Sequence, residues 1–139
     1  MNDFSVSVAK IAQILDLKNF TDNIDLKKIK ITSSDVNRPA LQLTGYFAHF
    51  EQSRIQMIGN VEYAYIQQMS DEEKRIRYSA FLQFEIPCVI FCRDLQPDAI
   101  FIEQAEKNHV PILGTSRPTS EFMAELIYTL AEKLAPSIT

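Results

Sequence analysis

Glycine is scarce in this chain: its 139 residues include only Gly45, Gly59 and Gly114, which lie 14 and 55 positions apart. Neither G-x-G-x-x-G nor G-x-x-x-x-G-K-[ST] can be written with that spacing, so both glycine-rich phosphate cradles are excluded. Basic charge is also short, with 14 Lys and Arg against 18 Asp and Glu and a net charge of −4. Nucleic-acid modules carry a basic excess or stripe, whereas the most basic stretch here, Lys27-Lys28-Ile29-Lys30, is offset by Asp22 and Asp25. No nucleic acid is therefore expected as a partner. Apolar runs approaching the ~20 residues of a membrane span are missing too. The opening Met1-Asn2-Asp3-Phe4 has neither the basic nor the apolar region of a signal peptide. A cytoplasmic chain without membrane contact is expected.

Cysteine is limited to Cys88 and Cys92, which frame the run Cys88-Val89-Ile90-Phe91-Cys92. On one face of a strand they would stand about 13 Å apart, because a strand rises ~3.3 Å per residue. That is too far for a disulfide, and two thiols without a His or Cys cluster make a poor zinc site. Both are read as reduced core residues, and no metal site is expected.

What is present is an ordinary globular balance, 46% apolar and 23% charged, at a length suited to one domain. Val8, Ile11, Ala12 and Leu15 follow helical spacing after a Ser7 N-cap. Ile29 to Thr32 alternates as a short strand, and Ser33 to Pro39 reads as a loop. Pro39 begins a helical turn that ends near Gly45. Arg54 to Ile58 is a strand turned by Gly59-Asn60 into a helix carrying Val61, Ala64 and Tyr65. Ser70-Asp71-Glu72-Glu73 is a capping box. It starts a helix at Asp71 with Ile76, Ala80, Phe81 and Phe84 inward and Arg77 at the edge, running to Pro87. Cys88 to Cys92 is a strand; Pro97 opens the next helix at its first position, and Asn108 takes its left-handed end. Pro111 to Leu113 is a strand, after which Thr119 caps a long helix bearing Met123, Leu126, Ile127, Leu130, Ala131 and Leu134. Three strand-then-helix units imply a mostly parallel sheet between helical layers, an α/β three-layer sandwich.

In open α/β sheets, ligands bind beyond the carboxyl ends of the strands. The candidates there are Gly59 and Asn60 after the first strand and Thr115, Ser116 and Arg117 after the third, with Arg38 in the loop before Pro39. Helix-start amides, hydroxyls and guanidinium groups at such ends suit an anion or small ligand. The same residue types also dominate ordinary turns, and Asp35 stands close enough to staple Arg38 as a loop pair. His49 and His109 accompany no nucleophile motif, and Asp71, Glu72 and Glu73 are explained by the helix dipole. No catalytic residue is expected. Tyr46, Phe47 and Phe50 form an aromatic stripe suited to core or interface.

Four ordered blocks carry a family resemblance. Thr32-Ser33-Ser34-Asp35-Val36-Asn37-Arg38-Pro39-Ala40-Leu41-Gln42-Leu43-Thr44-Gly45-Tyr46-Phe47 resembles a signature of bacterial HPr kinase/phosphorylase, with Ala40 standing where glycine is common. Arg54 to Glu62, Ala105 to Leu113 and Glu132 to Pro136 agree with it. The resemblance covers that family's N-terminal domain, itself similar to the uridine-nucleotide-binding domain of muramyl-peptide ligases, which again implies a three-layer α/β fold. It implies a parent that phosphorylates a serine of HPr with ATP or pyrophosphate and magnesium. The parent also removes that phosphate by phosphorolysis and controls carbon catabolite repression and sugar uptake. Its phosphate loop and acid/base groups lie in a C-terminal kinase domain, so no catalytic, cofactor or metal residue carries over. Residues 1–136 are expected to be the N-terminal domain and 137–139 the start of a linker to an absent kinase domain. The implied role is non-catalytic, regulatory or architectural. The implied partners are the kinase domain of the same chain, HPr as the parent's substrate, and further copies in a homohexamer. Alternatives are a sensor domain for a phosphometabolite or nucleotide, and an assembly or docking module using Tyr46, Phe47 and Phe50.

Overall fold

A computed structural model describes residues 4–135. The elements in order are β1 (Val6–Ser7), α1 (Val8–Ile14), β2 (Lys18–Asn19), a 3-10 turn (Leu26–Lys28), β3 (Lys30–Ile31), β4 (Val36–Asn37), α2 (Ala40–Leu43), β5 (Ile55–Ile58), α3 (Asn60–Gln67), α4 (Asp71–Leu82), β6 (Val89–Phe91), α5 (Ala99–Lys107), β7 (Ile112–Gly114) and α6 (Thr119–Leu134). The expected linker start at 137–139 lies outside the described residues.

Five strands form one sheet in the order β2-β7-β6-β5-β4. β4 to β7 run parallel and neighbour each other in chain order, while β2 pairs antiparallel with β7 at the edge. Each parallel step moves one strand along in the same sense, and such crossovers share one hand. The helices α2 to α5 therefore gather on one face. Alternation along the strands then sorts the core. Ile58, Val89, Phe91 and Ile112 join Leu43, Ile66, Phe81, Phe101 and Ala105 on that face. Ile55, Met57, Ile90 and Leu113 join Ile11, Phe122, Leu126 and Leu130 on the other, where α1 and α6 lie. Three layers result, as expected, with Cys88 and Cys92 buried and unpaired.

Local chemistry explains most boundaries. Ser7 and Ser70 cap their helices by accepting from Lys10 N at 3.0 Å and Glu73 N at 3.1 Å. Behind Pro39, α2 ends in a Schellman pair: Gly45 N donates to Gln42 O at 3.0 Å and Tyr46 N to Leu41 O at 3.1 Å. This requires the left-handed φ of +98° at Gly45.

Elsewhere the expected elements shift. The supposed loop at 33–39 contains β4, which pairs Val36 with Ile55 and Asn37 with Gln56. Its one polar side chain is satisfied there: Asn37 Nδ2 donates to Gln56 Oε1 at 2.7 Å and to Gln42 Oε1 at 3.2 Å. The Ile29 to Thr32 strand belongs instead to a separate ribbon, with Val6 opposite Ile31. β2 was not anticipated; it is held by Phe20 N donating to Ile112 O at 2.9 Å and Ile112 N donating to Thr21 Oγ1 at 3.1 Å. α4 stops at Leu82 and buries Tyr78, Phe81 and Leu82, leaving Ile76 60% exposed. Tyr78 tolerates the inward position because its hydroxyl donates to Asp98 Oδ2 at 2.8 Å. Burial, and then that bond to Asp98, raise the Tyr78 pKa.

Asp98, not Pro97, sets the start of α5, accepting from Phe101 N at 2.8 Å. The left-handed residue after α5 is His109, with φ +60°, while Asn108 stays near helical geometry at φ −102°. Its amide Nδ2 is held there by Gln104 O at 2.9 Å. On α6, Leu126 and Leu130 are buried as expected, but Ile127 is exposed and Phe122 and Thr129 take inward places.

The phase of α4 is directly testable. Phe81→Ala should cost about 3–5 kcal/mol of stability as a cavity-forming change. Ile76→Ala should stay within about 0.5 kcal/mol, as at an exposed site. Urea unfolding of the two variants measures both.

Candidate functional site

The carboxyl ends of β4, β5, β6 and β7 share one rim, and the six candidate residues divide there into two groups. Arg38 leaves β4, and Gly59 and Asn60 turn β5 into α3. Glu62, in the first turn of α3 and 3% exposed, ties the group together. Its Oε1 accepts from Gly59 N at 2.8 Å and from Arg38 Nη2 at 2.7 Å, while Oε2 accepts from Arg38 Nε at 3.1 Å. A buried carboxylate is tolerable only when its lone pairs are met in this way. The expected Asp35–Arg38 staple does not form; Asp35 Oδ2 lies 3.6 Å from Arg54 instead. Asn60 is exposed beside this cluster. In α3 the buried residues are Glu62 and Ile66, whereas Val61 is 69% exposed and Tyr65 is exposed.

Thr119 closes over the same group from the other layer. A Cβ on Gly59 would stand 2.6 Å from Thr119 Oγ1 and 2.9 Å from Arg38 Nη2, so only glycine fits there. Thr119 is not the cap of α6: Pro118 holds that position without a side-chain bond, and the Thr119 hydroxyl is turned inward. Burial raises the nearby Cys92 thiol to about 11; Thr119, Arg38 and Arg93 oppose the rise and Glu62 adds to it. Although the thiol is close enough to feel the Thr119 hydroxyl, that hydroxyl reaches no partner of hydrogen-bond geometry.

Thr115, Ser116 and Arg117 form the second group. Loop 115–117 is laced to the loop after β6: Arg93 N donates to Arg117 O at 3.0 Å and Asp94 N to Thr115 O at 2.9 Å. This lacing holds Arg93 and Asp94 at φ +60° and +58°, an uncommon pair for residues with a Cβ. Arg117 is engaged by Glu125 of α6. Thr115 and Ser116 line a cavity of about 210 Å³ with Asp16, Lys18, Phe20 and Asp94 among others. A larger cavity of about 480 Å³ opens at the opposite, amino-terminal rim, where Lys28, Lys30 and His109 stand near the carbonyl ends of α4 and α5. Lysines at helix carbonyl ends complement the helix dipoles, so this cavity does not enlarge the strand-end site.

His49 is exposed, with φ +62°. Phe47 packs on Phe84 at 5.0 Å between ring centroids and Phe50 on Phe84 at 5.1 Å, so Tyr46 alone of the aromatic stripe is exposed. Sequence reasoning missed Glu62, Thr119 and Cys92 as neighbours of Arg38. The one available signal was Glu62 three positions after a helix-opening glycine, which is half of a capping box.

A family model described as the N terminus of HPr serine kinase matches residues 6–130. The chain belongs to this family. It is 43% identical over 136 residues to an HPr kinase/phosphorylase of Lachnoclostridium phytofermentans, covering 98% of this chain and 44% of that protein. It is 38% identical to one of Clostridium botulinum over 132 residues, covering 95% and 43%. The chain thus spans less than half the length of these curated relatives. Among solved structures it resembles the CBS and DRTGG domains of the regulatory region of Clostridium perfringens pyrophosphatase, complexed with the activator diadenosine tetraphosphate. The TM-score is 0.60 at 17% identity, over 89% of this chain and 46% of that one. At that identity the likeness concerns fold alone, and it agrees with the three-layer arrangement of this member of the HPr kinase N-terminal family. No helix among the described residues is long and apolar enough to cross a membrane.

Two measurements test the site. Arg38→Ala strands the Glu62 carboxylate and should cost about 2–4 kcal/mol, less than a fully buried break because the guanidinium is one-third exposed. Arg38→Met with Glu62→Met should recover most of that loss in urea unfolding. The thiols give the second. Burial raises Cys88 to about 12 and Cys92 to about 11 from an ordinary 9.0. The unfolded chain then releases thiol protons first, so stability should fall as the pH climbs from the ordinary value towards the raised ones. A Cys88→Ala, Cys92→Ala double variant should show a shallower decline across that window.

Proposed function

We propose that this chain is the non-catalytic, regulatory or architectural N-terminal domain of a bifunctional HPr serine kinase/phosphorylase. One observation carries the reading: the chain belongs to the HPr kinase N-terminal family, yet its three glycines cannot form a phosphate loop. The strand-end residues are committed to holding β4, α3 and α6 together. ATP or pyrophosphate and magnesium then belong to the remaining length of the parent, beyond the 44% that this chain spans of its relative. HPr is the parent's substrate, the kinase domain of the same chain is the direct neighbour, and assembly into a homo-oligomer is a property of the parent. In this reading residues 1–136 are the domain, 137–139 begin the linker, and the parent works in the cytoplasm to control sugar uptake.

A second reading, a small-ligand sensor, is favoured by the cavity beside Thr115 and Ser116. In it, Arg38, Gly59, Asn60 and Arg117 frame the neighbouring part of the same rim. The docking-module reading draws less support, since Phe47 and Phe50 pack inside an aromatic cluster.

The test is phosphate transfer to HPr. With ATP or pyrophosphate and magnesium supplied, this chain alone should leave HPr unmodified, as read by mass. Turnover that persists after contaminating kinase is excluded would overturn the non-catalytic assignment.

A further inference from the structure

We infer that the outer face of α2, the turn after it, α3 and the middle of α4 form a docking surface. Its occupant is a protein segment that carries one carboxylate among apolar side chains. This role is separate from phosphate transfer and holds whether or not the parent is a kinase.

Charge is missing from this face. Residues 39–50 and 59–70 contain a single Asp, Glu, Lys or Arg between them, the buried Glu62, in a chain that is 23% charged. α2 packs on both α3 and α4, which brings the two uncharged stretches together. Five of the nine exposed large hydrophobic residues among the described ones lie here: Leu41, Tyr46, Val61, Tyr65 and Ile76. Tyr46 N donates to Leu41 O, which sets those two side by side, and Val61 and Tyr65 stand one turn apart on α3. Single apolar residues are ordinary on a surface, whereas a group of them without charge marks an interface. Depletion of charge with enrichment in tyrosine is the composition of an interface core. Phe47 and Phe50 take no part, because they pack on Phe84.

Arg77 of α4 sets the chemistry of the occupant. Its guanidinium lies over Gly45, where an added Cβ would collide with Nη1, so it borders the turn that carries Tyr46. Nε is buried, which holds the side chain down on the surface, while Nη1 and Nη2 stay open to solvent. The side chain belongs to no ion pair among the described residues. Glu73 stands one turn earlier, in the first turn of α4 with Asp71 and Glu72, where carboxylates meet the helix dipole. A guanidinium fixed in an apolar setting is completed by a carboxylate, which it meets through two N–H bonds. Because the side chain is already held in place, little ordering opposes that contact. One cation is too little for an anionic lipid surface or a nucleic acid, both of which reward clusters. Two copies of this face laid together would leave both guanidinium groups without a carboxylate, since Glu62 is already held by Arg38. A protein segment with apolar anchors around one Asp or Glu answers both the apolar face and its single charge.

Random peptides displayed on phage, panned against the 139-residue chain, test this, with fluorescence polarisation of the enriched peptides as the second step. Enriched sequences should share one Asp or Glu between large apolar residues and bind with a Kd on the order of 10 μM. Val61→Asp sets a charge on an exposed position without touching the core, and should weaken binding about tenfold by forcing that charge out of water. Arg77→Gln should weaken it about tenfold, as the loss of one charge-assisted bond does. Replacing the peptide's acid by its amide should weaken binding to the unaltered chain equally, and should add little on top of Arg77→Gln. The Val61→Asp and amide-peptide arms leave Arg77 in place, so they decide the matter even if Arg77→Gln disturbs the fold. Absence of enrichment, a consensus without an acid, or binding indifferent to Val61→Asp would each overturn the proposal. So would sedimentation of the chain as a dimer that Val61→Asp returns to monomer, which would put a second copy on this face.

Discussion

The Arg38–Glu62 pair is the constraint on which the carboxyl rim depends. A guanidinium from the end of β4 and a backbone N–H from the end of β5 converge on one buried carboxylate of α3. Each partner is necessary to the others. Glu62 can be buried only because three donors meet it, and β4 is a two-residue edge strand that two backbone pairings alone would hold weakly. Gly59 is the corollary. With Arg38 and Thr119 pressed over its Cα, the turn from sheet to helix has no room for a side chain. Two of the few glycines that cannot make a phosphate loop thus stand at the strand ends: Gly59 under Arg38 and Thr119, and Gly114 at the end of β7 under the Phe20 ring.

Periodicity in the sequence revealed the central sheet and the layers. β5, β6 and β7 are short, wholly buried runs bounded by turn residues, and the helices between them carry apolar stripes. Those signals arise from burial, which composition records. The edges were illegible for the converse reason. β2 and β4 are two-residue strands, Lys18–Asn19 and Val36–Asn37, too short to show an alternating pattern, and their strand geometry is imposed by partners farther along the chain. The difference at α4 has the same source: apolarity favours Ile76 for the interior, whereas Tyr78 goes in because Asp98, twenty positions on, accepts a hydrogen bond from its hydroxyl.

The candidate site was legible as a place but not as a set of contacts. Strand ends could be named from the sequence, and Arg38, Gly59, Thr115 and Ser116 do lie on them. Which residue touches which follows from pairings separated by 24 positions, as between Arg38 and Glu62, or by the path of α6 across the opposite face. Thr119 shows the limit clearly. As a residue type it is a good N-cap, and only the packing against Gly59 reveals that its hydroxyl points the other way.

The order of the strands has one more consequence, for the making of the protein. Elements β4 to β7 are laid down side by side as the chain emerges, and α2 to α5 cover one face as they come. The opposite face receives α1 from the beginning of the chain but must wait for α6 at its end, whose Phe122, Leu126 and Leu130 complete that core. During synthesis an apolar sheet surface therefore stands open until nearly all of the domain has left the ribosome. Closing it joins the first helix to the last, a long-range contact of the kind that slows folding. A growing polypeptide of this design is most vulnerable just before its final helix arrives.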